Sequence, residues 1–209
     1  ILRSKSMRNS NKLVRGIGIK GDKYSSWDGK EILKEYSLWN DMLFRCTEKC
    51  WAKQQTYLGV TCSDSFKSYT FFYEWCQEQI GFTNKDEKGR HWQLDKDVLF
   101  KNSKIYSEDT CVFVPARINS LLIKVAARRG EWPIGVYWSK KGSGSFNSYC
   151  SDSHSKVRHL GCFNTPQEAF LAYKTFKEAL IKQVANEYKE QLDPRVYEAL
   201  MNYEVNEND

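Results

Sequence analysis

Membrane-length apolar runs are missing from this chain: no segment approaches the roughly 20 consecutive apolar residues that a spanning helix requires, and no apolar leader core follows the basic N-terminal segment. A cytoplasmic location with no membrane partner is therefore expected. Paired cysteine motifs are missing too. The seven cysteines, Cys46, Cys50, Cys62, Cys76, Cys111, Cys150 and Cys162, are odd in number and form no C-x-x-C. This pattern fits neither a secreted disulfide framework nor a standard zinc knuckle. Cys46 and Cys50 stand one helical turn apart, with Cys62, Cys76 and His91 downstream, which leaves a structural zinc open. Acidic residues are absent from the first 20 positions, where Arg3, Lys5, Arg8, Lys12, Arg15 and Lys20 sit. A basic arm of this kind attracts phosphates over a long, salt-sensitive range.

What is present describes a folded protein of two modest domains. The chain has 209 residues, 41% of them hydrophobic, with seven tryptophans and a net charge of +6. The charge is segregated. Residues 121–160 carry Lys124, Arg128, Arg129, Lys140, Lys141, Lys156 and Arg158 against only Glu131 and Asp152. The end of the chain is acidic, with Glu187, Glu190, Asp193, Glu198, Glu204, Glu207 and Asp209 against Lys189 and Arg195. The two basic segments are expected to meet a polyanion, and the acidic end to stay off it.

Residues 134–163 show strand periodicity broken by Gly and Ser turns. Thr165, Pro166 and Glu168 then supply an N-cap, a first-turn proline and a capping-box acid. In the helix that follows, Ala169, Ala172, Tyr173, Phe176, Leu180, Val184 and Tyr188 recur at steps of three and four, a stripe suited to cover one sheet face. The other face is expected to carry Trp138, Lys140, Ser145, Asn147, Tyr149, Lys156 and Arg158, cations and hydrogen-bonders able to meet phosphates and base edges. Lys140 and Lys141 precede Gly142-Ser143-Gly144-Ser145, a hairpin-tip pattern, and basic residues at a tip meet phosphate. Gly135-Val136, Trp138, Leu160-Gly161-x-Phe163-x-Thr165-x-x-Glu168-Ala169 and Ala172-Tyr173 resemble the AP2 DNA-binding domain over about 55 residues. That resemblance implies a three-stranded antiparallel sheet lying in the major groove, with a helix packed behind it.

The N-terminal half opens with a helical stripe, Ile32, Leu33, Tyr36, Trp39, Leu43 and Cys46, between Lys30 and Thr47. Residues 57–61 read as a short strand. Ser68 then caps a second helix with Phe71, Phe72, Trp75 and Ile80 near one face. If residues 91–99 form a strand, its alternation places His91, Gln93, Asp95 and Asp97 on one side, and Asn119 lies in the helix that follows. An imidazole, two carboxylates and an amide are the donors a one-metal phosphodiester hydrolase uses. Trp39-x-x-Met42-Leu43-x-Arg45-Cys46, Leu94-Asp95-Lys96-Asp97, Lys104-Ile105-Tyr106-Ser107, Cys111-x-Phe113-Val114-Pro115 and Ile118-Asn119 resemble phage-type HNH homing endonucleases, in which a ββα-metal nuclease often precedes an AP2 reader. Two departures stand out. Asn102-Ser103 replaces the Gly-Asn usual before Lys-x-Tyr-Ser-Pro, and Lys96 follows Asp95 where the family offers the general-base His. An ammonium with an ordinary pKa of about 10.4 is a poor base at neutral pH.

The expected fold class is α+β. It comprises a basic arm (1–20), an HNH-like domain (21–124), a linker (125–133) in which Arg128 and Arg129 track the backbone, an AP2-like sheet packed on a helix (134–190) and an acidic C-terminal helix or tail (191–209). The expected function is sequence-specific binding of double-stranded DNA by site occupancy, repressor-like, on phage or nucleoid DNA in a bacterial host. The nuclease half is expected to be degenerate and binding to need no cofactor. The alternative is an active endonuclease: Asp95, with Asp97, holds Mg²⁺, His91 is the base and Asn119 orients the water. A protein-interaction module is a third class, favoured only by the acidic tail.

Overall fold

The computed structural model describes residues 12–122, 131–140, 144–152 and 156–209. Among them the chain is mixed α+β, with seven α-helices and three small sheets. It divides into two compact units. One runs to Asn84 and includes Leu94–Phe113; the other comprises Lys85–Gln93 and Val114–Asp209. The two units therefore trade chain at residues 85–113, a division unlike the simple succession expected from the sequence. The expected arm residues 1–11, Arg128, Arg129 and Lys141 lie outside the described residues.

In the first unit, α1 (Lys34–Arg45) and α2 (Glu48–Trp51) precede β1 (Thr61–Cys62), α3 (Asp64–Lys67) and α4 (Tyr69–Glu78). The strand expected at 57–61 is reduced to β1, because residues 55–57 take a 3₁₀ turn. The α4 cap is as expected: the Ser68 hydroxyl accepts from the Phe71 N–H at 3.4 Å. Its buried face is Tyr69, Phe72, Trp75 and Cys76, and Phe71 and Ile80 are exposed instead. The reason is partner geometry. Phe66 from α3 meets Phe72 and Trp75 edge-on at 5.1 and 4.9 Å, and Trp75 reaches Phe113 at 5.8 Å. Trp39 and Leu43 of α1 complete this core, and the Trp39 indole N–H donates to the Phe66 carbonyl at 2.8 Å.

The chain before α1 is not a loose arm beyond residue 12. Ile19 exchanges backbone hydrogen bonds with Lys67 and Tyr69 at 2.8 and 2.9 Å. Gly18 lies so close to Trp39 and Leu43 that a Cβ there would approach Leu43 to 2.3 Å. Arg15 is drawn onto α1, donating to Asn40 Oδ1 at 2.9 Å with its guanidinium 5.1 Å from the Phe44 ring.

Later come β2 (Gln93–Asp95), β3 (Ile105–Tyr106), β4 (Val112–Val114) and α5 (Ala116–Leu122). β3 pairs in parallel with β1, and β2 pairs with β4.

In the second unit, β5 (Val136–Ser139), β6 (Ser145–Ser151) and β7 (Val157–Phe163) form an antiparallel sheet in the order β5-β6-β7. α6 (Pro166–Glu187) packs on it through Ala169, Phe170 and Tyr173. Both halves of the expected capping box are present at 3.2 Å, between Thr165 Oγ1 and the Glu168 N–H and between Glu168 Oε2 and the Thr165 N–H. The acidic C-terminal segment contains a helix and packs on the sheet unit. α7 (Pro194–Met201) buries Val196 and Leu200. Val205 enters the sheet–helix core beside Val136 and Cys150. Its backbone is fixed at both ends, by Glu178 at 2.9 Å and the Lys174 ammonium at 3.0 Å. The tail thus supplies apolar area that a three-stranded sheet and one helix lack by themselves. Trp132, assigned to the linker, also belongs to this unit, packing edge-on against Phe146 at 4.8 Å.

Candidate nucleic-acid interface

Strand register decides which side chains the free face of the second unit's sheet presents. Val136 pairs with Ser148, and both are buried toward α6. Alternation along β5 and β6 then sends Tyr137, Ser139, Ser145, Asn147, Tyr149 and Ser151 to the opposite face. On β7 the pairing shifts between Ser148–Gly161 and Tyr149–His159, so Leu160 is an extra residue, a β-bulge. Gly161 sits at this bulge with φ +141°, a backbone conformation side-chain-bearing residues rarely adopt. Leu160 packs into the core, and the bulge places Val157, His159 and Cys162 on the free face.

The face so built is aromatic and hydrogen-bonding. Tyr137, Tyr149 and His159 form a row across all three strands, with ring centroids 5.8 and 4.8 Å apart. Beside the row, Asn147 Oδ1 accepts from the Cys162 thiol at 2.9 Å and lies 3.3 Å from His159 Nε2. None of these strand residues is a cation; the cations stand at the margins. Lys140 follows β5 and Lys156 precedes β7, both exposed. A neutral hydrogen-bonding centre with a cationic rim suits base edges in the middle and phosphates at the sides.

Of the residues expected on this face, Ser145, Asn147 and Tyr149 are there. Trp138 and Arg158 are not. Trp138 shares the parity of Val136, and its ring covers Phe146 at 4.8 Å and closes over Gly144. Arg158 pairs with Cys150, on the helix side, and its guanidinium is tied to Asp152 at 3.2 Å. Asp152 also accepts from the Lys156 N–H at 2.9 Å. Tyr137, His159 and Cys162 were missed. A one-residue slip exchanges the faces of a strand, and the bulge at Gly161 supplies that slip in β7. The apolar pair Ile134 and Val136, read as the inward set, would have freed Tyr137.

The nuclease-like residues are arranged differently from a metal site. The expected strand 91–99 is only Gln93–Asp95, after which the chain turns. The Asp95 carboxylate makes that turn: its Oδ1 accepts from the N–H groups of Asp97 and Val98 at 2.7 and 2.8 Å. Burial raises the Asp95 pKa against the pull of those two hydrogen bonds and the Lys96 ammonium. Asp97 lies outside the strand and is paired with Lys96 at 2.6 Å. Lys96 is itself buried, donates to the Ser103 carbonyl at 2.6 Å and lies 5.7 Å from the Tyr106 ring centroid. Among the described residues no three His, Cys, Asp or Glu side chains converge as metal ligands. An Asp95 whose Oδ1 is held by two backbone donors and an Asp97 neutralised by an ammonium do not fit the Mg²⁺ that the HNH resemblance implies. In the second unit, Asn119 donates to Gln93 Oε1 at 2.7 Å, and His91 is exposed in a bridge with Lys85. Of the cysteines considered for zinc, Cys50 and Cys76 are buried, and Cys46 contacts Cys62.

Comparison of the chain with protein-family models, with curated proteins and with solved structures gives no match.

Proposed function

We propose that the chain is a sequence-reading double-stranded DNA-binding protein, built like a homing endonuclease with an AP2-type reader, that acts by occupying its site. The observation that carries this is the free face of β5-β6-β7: Tyr137, Asn147, Tyr149 and His159 across three strands, flanked by Lys140 and Lys156. A sheet of this width fits the major groove, whose base edges present distinct donor and acceptor patterns. The basic excess of the chain favours phosphate contact and predicts binding that weakens steeply with salt.

The nuclease-like segment serves in this reading as a DNA-contacting platform without cleavage. The Lys96 side chain supports this, because it holds Asp97 and the 103 carbonyl together where hydrolysis would need a free base. Selection of bound genomic fragments followed by footprinting, with and without Mg²⁺, tests both halves of the proposal. A protected site of unbroken DNA is the expected result. No band shift on any fragment at low salt would remove the reader, and nicking lost in Asp95→Ala would reinstate the enzyme.

A further inference from the structure

We infer that Cys162, His159 and Asn147 form a binding site for a thiophilic divalent cation, zinc in the first instance, on the free face of the second unit's sheet. The three donors converge from two strands because the β7 bulge turns His159 and Cys162 to the same side, opposite Asn147 on β6. Their separations are Sγ to Nε2 3.7 Å, Nε2 to Oδ1 3.3 Å and Sγ to Oδ1 2.9 Å. A tetrahedral zinc with ordinary bond lengths of about 2.3 Å to sulfur and 2.0–2.2 Å to nitrogen and oxygen sets these edges at about 3.6, 3.4 and 3.6 Å. Two of the three edges already match within a few tenths of an ångström. The third opens by rotating the Asn147 amide, whose Oδ1 meets only the His159 ring and the Cys162 thiol among the described residues.

The donor chemistry agrees with the geometry. Thiolate and imidazole together select zinc or copper over magnesium or calcium, and the amide oxygen completes a neutral-to-anionic triad. Binding takes the proton from the Cys162 thiol and releases it to solvent, with no change of oxidation state. His159 and Cys162 are exposed, so a fourth position is open to water. The inference goes beyond DNA binding and does not depend on it, because the three donors are in place without a nucleic acid.

The test is titration of the reduced full chain with Co²⁺, then competition with Zn²⁺, in the absence of DNA. Thiolate-to-cobalt charge-transfer absorption saturating at one equivalent is expected. It should vanish in Cys162→Ser, and the affinity should fall ~10-fold or more in His159→Gln. Asn147→Asp, which offers an anionic oxygen in place of the amide, should tighten binding several-fold. No charge-transfer band in the parent protein, or a band unchanged by Cys162→Ser, overturns the site. A band lost with Cys162 but insensitive to His159 overturns it as well, because the ligand would then be a single thiol. Since no DNA is present, these outcomes leave the band-shift test of the reader separate.

Discussion

Replacing Gly135 by alanine should loosen the second unit more than any other single methyl addition to its sheet. Two costs coincide there. Gly135 has φ +77°, a left-handed conformation that costs a residue with a Cβ ~1–2 kcal/mol. The added Cβ would lie 2.1 Å from Tyr173 Cδ2 and 2.5 Å from its Cγ, where carbon atoms ordinarily rest at about 3.5–4.0 Å. Tyr173 is buried on α6 among Val136, Cys150 and Phe170, so its ring cannot step aside without displacing the helix from the sheet. Overpacking of this kind costs ~1–3 kcal/mol, which brings the total to ~2–5 kcal/mol out of a typical 5–15 kcal/mol. The assay is hydrogen exchange read by mass spectrometry on peptides covering 131–152. Opening of that segment should accelerate by ~30-fold or more, since each 1.4 kcal/mol is a factor of ten. Tyr173→Ala in the same background should recover the steric part alone, a coupling visible in a double-mutant cycle. Exchange accelerated less than ~5-fold by Gly135→Ala would refute the close packing of strand entry and helix.

Three further outcomes are expected. Asn147→Ala should cost ~1–3 kcal/mol of specific affinity and relax the preference at one base pair, measured by competition band shifts against a randomised site; uniform weakening at all sequences would move Asn147 from reader to backbone contact. Lys140→Ala and Lys156→Ala should instead weaken binding to every sequence and reduce the salt slope by ~1 each, and a changed sequence preference would contradict their marginal placement. Asp95→Asn keeps the Oδ1 acceptor of the turn and removes the charge. Because burial raises the carboxyl's pKa in the folded state, ionised Asp95 carries a penalty that is fully present at neutral pH and is lost as pH falls through the raised value towards the ~3.9 of an unfolded aspartate. The variant should therefore be at least as stable as the parent in thermal unfolding at pH 7, with its advantage shrinking on acidification; a loss of more than ~1 kcal/mol at neutral pH would show that the charge itself is needed.

Elements specified locally were legible in the sequence, and those specified by partners were not. The α6 start could be read because Thr165, Pro166 and Glu168 carry their own hydrogen-bond logic within four residues. The Ser68 cap could be read for the same reason. The Phe71 side chain was misplaced because neighbours distant in sequence, Phe113 and Trp39 together with Phe66 of α3, decide which side of α4 is inside. The packing role of the C-terminal segment is masked in the sequence by its charge. Its acids face outward or cap backbone donors while Val196, Leu200 and Val205, a minority of its residues, supply the packing. On the sheet, β6 was assigned to the correct face because its alternation is uninterrupted. β5 and β7 were not, and in β7 a single extra residue at a glycine reversed the order.

Under the proposed function, the sheet face and the 95–103 segment differ in what each can lose. In the proposed reading, contacts on the β5-β6-β7 face are spread over Tyr137, Asn147, Tyr149, His159 and the marginal lysines, so no one of them would carry the whole affinity. A hydrolytic site has no such reserve, since it depends on a few groups held in one geometry. In the first unit that geometry is committed elsewhere. Asp95 closes a turn through two backbone N–H groups, and Lys96 bridges Asp97 to the Ser103 carbonyl from a buried position. Freeing Asp95 would open the 95–98 turn, and freeing Lys96 would leave the Ser103 carbonyl without its donor. Val98 is buried, so its N–H left without an acceptor is costly, and a metal-binding arrangement here needs several coordinated substitutions rather than one. The occupancy role proposed above asks for none of these changes.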